Sequence, residues 1–204
     1  MLHCGSHIVP HPEYGPVDAT QAPLSYFVGK PYIMGHTAEF VAQYKDITRA
    51  QMDEIALRSN NNAERATKKG VFEEEIVPVM MPQRKKDPIA FDKDEHFRPG
   101  LTLEQLEKLP PAFVPKTGKV TAGNSSGIND GSAALMIMSE DKAKALGLTP
   151  LARIKAVGKG GCHPSVMGLS PVPAVNQLMK NSGLKIADFD LVEVNEAFAA
   201  QYIA

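Results

Sequence analysis

Two patterns of apolar and polar positions divide this 204-residue chain. From residue 34 to 119 the apolar positions mostly recur at helical spacing, with long connections between them. Thr48-Arg49-Ala50-Gln51 reads as a capping box, Met52, Ile55, Ala56 and Ser59 keep the helical interval, and Gly70 closes the helix behind Lys68 and Lys69. A shorter helix opens at Thr102, runs through Leu103, Leu106 and Leu109, and stops at Pro110-Pro111. From Val120 onward strands and helices are predicted to alternate. AALMIMS (133–139) is a continuous apolar run suited to a buried strand, and residues 140–146 form a helix ended by Gly147. ARIKAVG (152–158) is a second strand, residues 174–182 a helix ended by Gly183, and residues 191–194 a third strand inside the alternating DFDLVEV. That order implies a layered α/β unit. Residues 1–33 hold five prolines and little periodicity, which predicts an extended or mobile segment.

Three short segments punctuate these elements. MGHTAE (34–39) sets Gly and Thr just before a helix-like run, and VTAGNSSGINDGSA (120–133) is rich in glycine and small polar residues between regular elements. VEVNEAFAAQ (192–201) carries a strand into Asn195-Glu196 and a small-residue run of high helix propensity. Asn195 has two readings on position alone. It is a good helix N-cap, and the carboxyl end of a strand in an α/β layer is also where ligands tend to sit. MGHTAE, TAGNSSGINDGSAA and NEAFAAQ, in this order and spacing, resemble the thiolase family over about residues 31–204.

The resemblance implies an α/β fold: a partial thiolase-like layered half-domain over 120–204, preceded by a mainly helical loop, or lid, domain over 34–119 that covers a coenzyme A site. It also implies acyl exchange, with carbon–carbon bond formation or cleavage on 3-ketoacyl-CoA thioesters, with coenzyme A as substrate and no covalently bound cofactor. Such chemistry needs a thiolate, a base and oxyanion donors. In the family the nucleophilic cysteine precedes the MGHTAE-like segment, and a His-Pro loop and a second cysteine loop follow NEAFA. None of these is matched here, so the chain is expected to be an incomplete thiolase, inactive alone, with apolar faces open to water. The complete protein is expected to be a homo-oligomer, dimer or tetramer. The alternative is a non-catalytic acyl-CoA-binding or partner subunit completed by another thiolase chain.

Residue by residue, the family pattern assigns Asn195 to the thioester oxygen, as a hydrogen-bond donor or the holder of a water. Ser126 and Gly127 match contacts to the pantetheine amides, where a hydroxyl beside a residue without Cβ allows close approach. Ala112 and Phe113 match a segment lining the pantetheine channel, with Ala122 on the same side of the site. Met34 and Met167 match the same lining, as adaptable side chains. Ala197 and Phe198 would flank the acyl and pantetheine portion, and Phe198 reads equally as core. Glu196 is expected to orient the loop through backbone groups. Many short-chain members have His where Ile33 stands, which implies a less polar or larger acyl pocket.

Two clusters imitate the missing chemistry. Cys4, in His3-Cys4-Gly5-Ser6-His7, is followed by Pro10 and Pro12, which discourage the helix whose dipole would activate a thiol. His3, Cys4, His7 and His11 fit no standard zinc spacing, and no metal is expected. Gly161-Cys162-His163-Pro164 reads as a turn, since adjacent residues on extended chain face opposite ways.

With 43% apolar and 22% charged residues and two cysteines, a disulfide scaffold is excluded, and no apolar run is long enough to span a bilayer. The net charge of −1 does not supply the positive surface that nucleic acid requires, and Arg84-Lys85-Lys86 reads as a solvated surface turn. No secretory signal pattern opens the chain, so a cytoplasmic location is expected.

Overall fold

The computed structural model describes the backbone at Ile8–His11 and Gly15–Asp18, and residues 33–204 with their side chains. The readings of Cys4, of the histidines around it and of most of the segment 1–33 fall outside the described residues. The chain divides into two units.

The first unit gathers residues 34–127 with 196–204. Helix α1 is Met34–Tyr44, so MGHTAE lies within the helix rather than before it. Helix α2, Arg49–Lys68, opens as its sequence predicts. The Gln51 amide donates to the Thr48 hydroxyl, and the Gln51 side chain accepts from the Thr48 amide. It closes at Lys69, and Gly70 takes the left-handed conformation, φ 70°, that a residue without Cβ adopts at low cost. Helix α3, Leu103–Glu107, has a second capping box from Thr102 and Gln105. Helix α6, Ala199–Ile203, packs on α1 and α2. The core is Ala38, Ala42, Ile47, Met52, Val120, Ala199 and Ala200. Small residues on α1 (Ala38, Ala42) and α6 (Ala199, Ala200) share this cluster with Met52 of α2.

A hairpin interrupts this helical unit where the sequence pattern suggests none. Strands β3 (Val79–Gln83) and β4 (Lys86–Phe91) pair antiparallel, with Val79 opposite Phe91 and Met81 opposite Ile89. Pro82 cannot donate to the ladder, and the register shifts there. Arg84-Lys85-Lys86 runs through its exposed turn, with Lys85 at φ 62°, as the surface-turn reading requires.

The second unit holds residues 128–195 together with the antiparallel pair β1 (Ile8–His11) and β2 (Gly15–Asp18). Helix α4, Glu140–Ala145, starts from a Ser139 cap and is followed by Gly147 at φ 66°. Helix α5, Pro171–Ser182, begins three residues before the expected start, with proline in its first turn, where a missing N–H costs nothing. It ends at Gly183, φ 72°. The strands expected at 133–139, 152–158 and 191–194 do not form. A strand exists only as part of a ladder, and among the described residues none of these segments pairs with an edge. Their apolar side chains are exposed, as the expectation of open apolar faces requires: Leu135 is 88% exposed, Met136 83% and Leu191 86%. Among the described residues no helix is long and apolar enough to cross a membrane.

Candidate functional site

The segments that carry the resemblance meet in the first unit. Ser125 forms an antiparallel bridge with Phe198, the Ser126 amide donates to the Ala197 carbonyl at 2.9 Å, and the Ala199 amide donates to the Asn124 carbonyl at 3.0 Å. TAGNSSG and NEAFAA therefore lie side by side as a short ladder. The loop is shaped from within: the Asn124 side chain accepts from the Thr121 amide at 2.8 Å, and the Ser125 hydroxyl donates to the Thr121 carbonyl at 2.8 Å. Gly123 lies against Leu106 and Leu109, where a Cβ would collide with both side chains.

MGHTAE joins them through Glu39. Its carboxylate accepts the Lys119 amide at 2.8 and 2.9 Å and the Val120 amide at 2.8 Å, so α1 grips the chain just ahead of the TAGNSSG loop. The Lys119 ammonium reaches the Ile47 carbonyl at 2.7 Å. Gly35 is required at its position because a Cβ there would overlap the Phe113 ring. Phe113 stands edge-on to Phe198 at 6.4 Å between centroids and to His36 at 6.0 Å, the T-shaped arrangement that aromatic quadrupoles favour. The Ala112 amide donates to the Val120 carbonyl at 2.9 Å, fixing Phe113 beside the loop. An aromatic floor of Phe113 and Phe198 thus borders the exposed Ser126 and Gly127.

Met34, Ala112, Phe113, Ala122, Ser126, Gly127, Ala197 and Phe198 all belong to this unit. Met34, Ala112, Ala122, Ser126 and Gly127 are exposed, Ala197 is half-buried, and Phe113 and Phe198 are half-buried against the core. Phe198 packs against the core, as one of its two readings holds. Met167 and Asn195 belong to the other unit, Met167 in the short 3-10 turn Pro164–Leu169.

Asn195 does not cap a helix. Helix α6 starts at Ala199 with Phe198 as its N-cap, because the ladder with Asn124 and Ser126 holds Phe198 extended at φ −142° and ψ 135°. Asn195 is exposed and makes no hydrogen bond within the described residues, so its amide is available. Glu196 also departs from expectation. It accepts from the Ser59 hydroxyl at 2.5 Å, a side-chain contact to α2 instead of the predicted backbone contacts. Glu39, Ser59 and Asp53 escape a sequence reading because each acts across 71 or more residues of chain; only their helical register hints at an inward face.

The imitating cluster at 161–164 does not pair its thiol with its histidine. Cys162 is exposed, donates to the Val166 carbonyl at 3.2 Å and lies 3.4 Å from the Ser170 hydroxyl, neither of which is a base. His163 bonds instead with the Ser165 hydroxyl at 2.8 Å and caps the turn that begins at Pro164. Among the described residues no three His, Cys, Asp or Glu side chains converge as a metal site.

Comparison with known proteins follows the same segments. The thiolase N-terminal domain family matches residues 20–141, and the thiolase C-terminal domain family matches residues 148–204. An acetyl-CoA acetyltransferase of Cupriavidus necator is 54% identical over 173 residues, which are 85% of this chain and 44% of that protein. The crystal structure of the Bacillus anthracis acetyl-CoA acetyltransferase superposes with a TM-score of 0.78 at 47% identity, covering 85% of this chain and 43% of the other. Human mitochondrial 3-ketoacyl-CoA thiolase in complex with CoA does so with a TM-score of 0.76 at 46% identity, over 87% of this chain and 43% of that one. The chain spans less than half the length of the relatives it matches.

Proposed function

The chain belongs to the thiolase family, and from that membership we propose that it supplies the pantetheine-facing part of an acyltransferase acting on 3-ketoacyl-CoA thioesters. The ladder between TAGNSSG and NEAFAA supports this reading most directly. It sets the exposed Ser126 and Gly127 beside an aromatic floor, a polar group next to an apolar wall, which suits an amide-bearing aliphatic arm such as pantetheine. The relative solved with CoA lends the ligand class. Coenzyme A is then a substrate, no further cofactor is needed, and the working form is a homo-oligomer.

In this reading the Ser126 hydroxyl and the loop backbone bond the pantetheine amides, and Phe113, Phe198 and Met34 border its methylenes. Asn195 donates its amide N–H toward the thioester oxygen, where negative charge develops when the carbonyl is attacked. A donor aimed at that charge lowers the barrier because it bonds the transition state more strongly than the ground state. The attacking thiolate is assigned to neither cysteine of this chain. A second reading, an acyl-CoA-binding subunit that works with another thiolase chain, is favoured by the same arrangement: the residues proposed to border pantetheine, Met167 apart, belong to one unit, while Cys162 sits against a carbonyl.

Both readings are tested by titrating the purified chain with coenzyme A and by incubating it with acetyl-CoA under mass spectrometry. An open, one-sided surface gives little preorganisation, so a dissociation constant weaker than about 1 μM, near −8 kcal/mol, is expected. Ser126→Phe, which fills the ladder's exposed edge, should abolish it. Neither cysteine should be acetylated. Tighter binding with no acetylation selects the binding subunit, and stoichiometric acetylation of Cys4 or Cys162 overturns the assignment of the thiolate elsewhere.

A further inference from the structure

The loop that carries Ser126 is held from behind by a buried charge. Asp53, on the second turn of α2, is fully buried, and its two carboxylate oxygens are spent in different directions. Oδ2 accepts from Arg49 Nε at 2.6 Å, and Oδ1 accepts from Asn124 Nδ2 at 2.8 Å. The Arg49 guanidinium also donates to the Leu106 and Leu109 carbonyls at 2.5 and 3.2 Å, closing the end of α3. Asn124, 2% exposed, donates its second amide hydrogen to the Lys119 carbonyl at 3.1 Å and accepts from the Thr121 amide.

A buried carboxylate with its cation on one side and a neutral amide on the other is a fixed point. Each group in the chain Arg49–Asp53–Asn124 would be left unsatisfied by moving away, and the low local dielectric sharpens that penalty. Asn124 is also where the loop meets NEAFAA: its carbonyl accepts the Ala199 amide, Ser125 bridges Phe198, and the Ser126 amide follows on the Ala197 carbonyl. The side chain of one residue thus ties the loop to α2 while its backbone begins the ladder.

We propose that Asp53 and Asn124 form a positioning pair that sets the Ser126–Ala197 ladder, and through it the affinity of the surface for coenzyme A. Neither side chain faces the ligand surface; both act through Ser126. The part concerning coenzyme A rests on the proposed function, whereas the part concerning the ladder does not.

Amide hydrogen exchange on the chain bearing Asn124→Ala separates the two. The Ser126 and Ala199 amides should lose protection by about tenfold or more while those of Val41 and Ala42 on α1 keep theirs. Titration with coenzyme A should show weaker binding for Asn124→Ala than for the parent, and no further weakening when the same change is made in a Ser126→Ala background. Purely structural loss would add in both backgrounds. Asp53→Asn keeps the volume and an acceptor for Asn124 but removes the charge that fixes Arg49, and should act in the same direction if Asn124→Ala does not fold. Unchanged exchange at Ser126 and Ala199, uniform loss across α1, or additive weakening overturns the pair. If the parent chain binds no coenzyme A at all, the ligand reading fails, and the exchange at Ser126 and Ala199 still decides whether the pair sets the ladder.

Discussion

At the scale of single residues, the structure separates the motif positions that hold the fold from those left exposed. In MGHTAE, Gly35 makes room for Phe113 and Glu39 clamps the amides at 119 and 120, which leaves Met34 exposed. In NEAFA, Glu196 is held by Ser59, Phe198 and Ala199 belong to the core side, and Asn195 is left exposed without a structural bond. That exposure predicts the outcome of mutation. In a chimera carrying this chain's matched residues within the Cupriavidus necator relative, Asn195→Ala should lower kcat by about 100- to 1000-fold, the usual loss for one oxyanion donor. Coenzyme A affinity and thermal midpoint should stay near the parent values, because the amide is proposed to touch neither the cofactor nor the core. Asn195→Asp should be at least as damaging, since a carboxylate there repels the developing oxyanion. Near-normal kcat in Asn195→Ala would remove Asn195 from the mechanism.

At the scale of elements, what could be read in the sequence was whatever is specified locally. The capping box at Thr48, the stop at Gly70 and the Gly147 and Gly183 ends all depend on neighbours within a turn, and all are found. The β3–β4 hairpin was missed because its two short, proline-interrupted strands lack strict alternation. Helix α6 starts later than local propensity predicts because a long-range ladder, invisible in that propensity, holds Phe198 extended. Asp53 was illegible as a positioning residue for the same reason: its partner is 71 residues away.

The end of α2 offers a test of element stability by pH. Glu64 accepts from Lys68 at 2.5 Å and from the Gly100 amide at 3.0 Å, joining the last turns of the helix to the segment before α3. The Lys68 hydrogen bond first, and the Gly100 amide second, hold the Glu64 carboxyl below its ordinary 4.5. A folded value below the unfolded one means that the unfolded chain binds the proton more readily. The contribution is therefore complete above about pH 4.5 and is lost as pH falls through the folded value. Thermal melts of the parent chain and Glu64→Gln across pH 6 to about 3 should diverge most at the upper end and converge at the lower. Parallel curves across the range would show that the link carries no stability.

At the scale of the whole chain, the two units contrast in what they bury. The unit of residues 34–127 and 196–204 closes a core on Val41, Ala42, Met52 and Val120, each at 0% exposure. The unit containing 128–195 leaves Leu135, Met136, Ile137, Ile154, Val157 and Leu191 in water, in segments whose sequence favours strands but which find no edge to pair with among the described residues. Unpaired strand-forming segments with exposed branched side chains are the usual seeds of association. The isolated chain should therefore bind a hydrophobic dye strongly and associate with rising concentration, visibly so in sedimentation at about 100 μM. Slow amide exchange should be confined to α1, α2, the 119–126 loop and the start of α6 at Ala199, whose hydrogen bonds are covered by the core, and should be absent over 133–139 and 152–158. A chain that stays monomeric at that concentration, ignores the dye and protects 133–139 would show that these segments find partners within the chain after all. In that event the layered α/β unit read from the alternation of strands and helices would be complete within these residues, and the open surface on which the weak coenzyme A affinity rests would have to be redrawn.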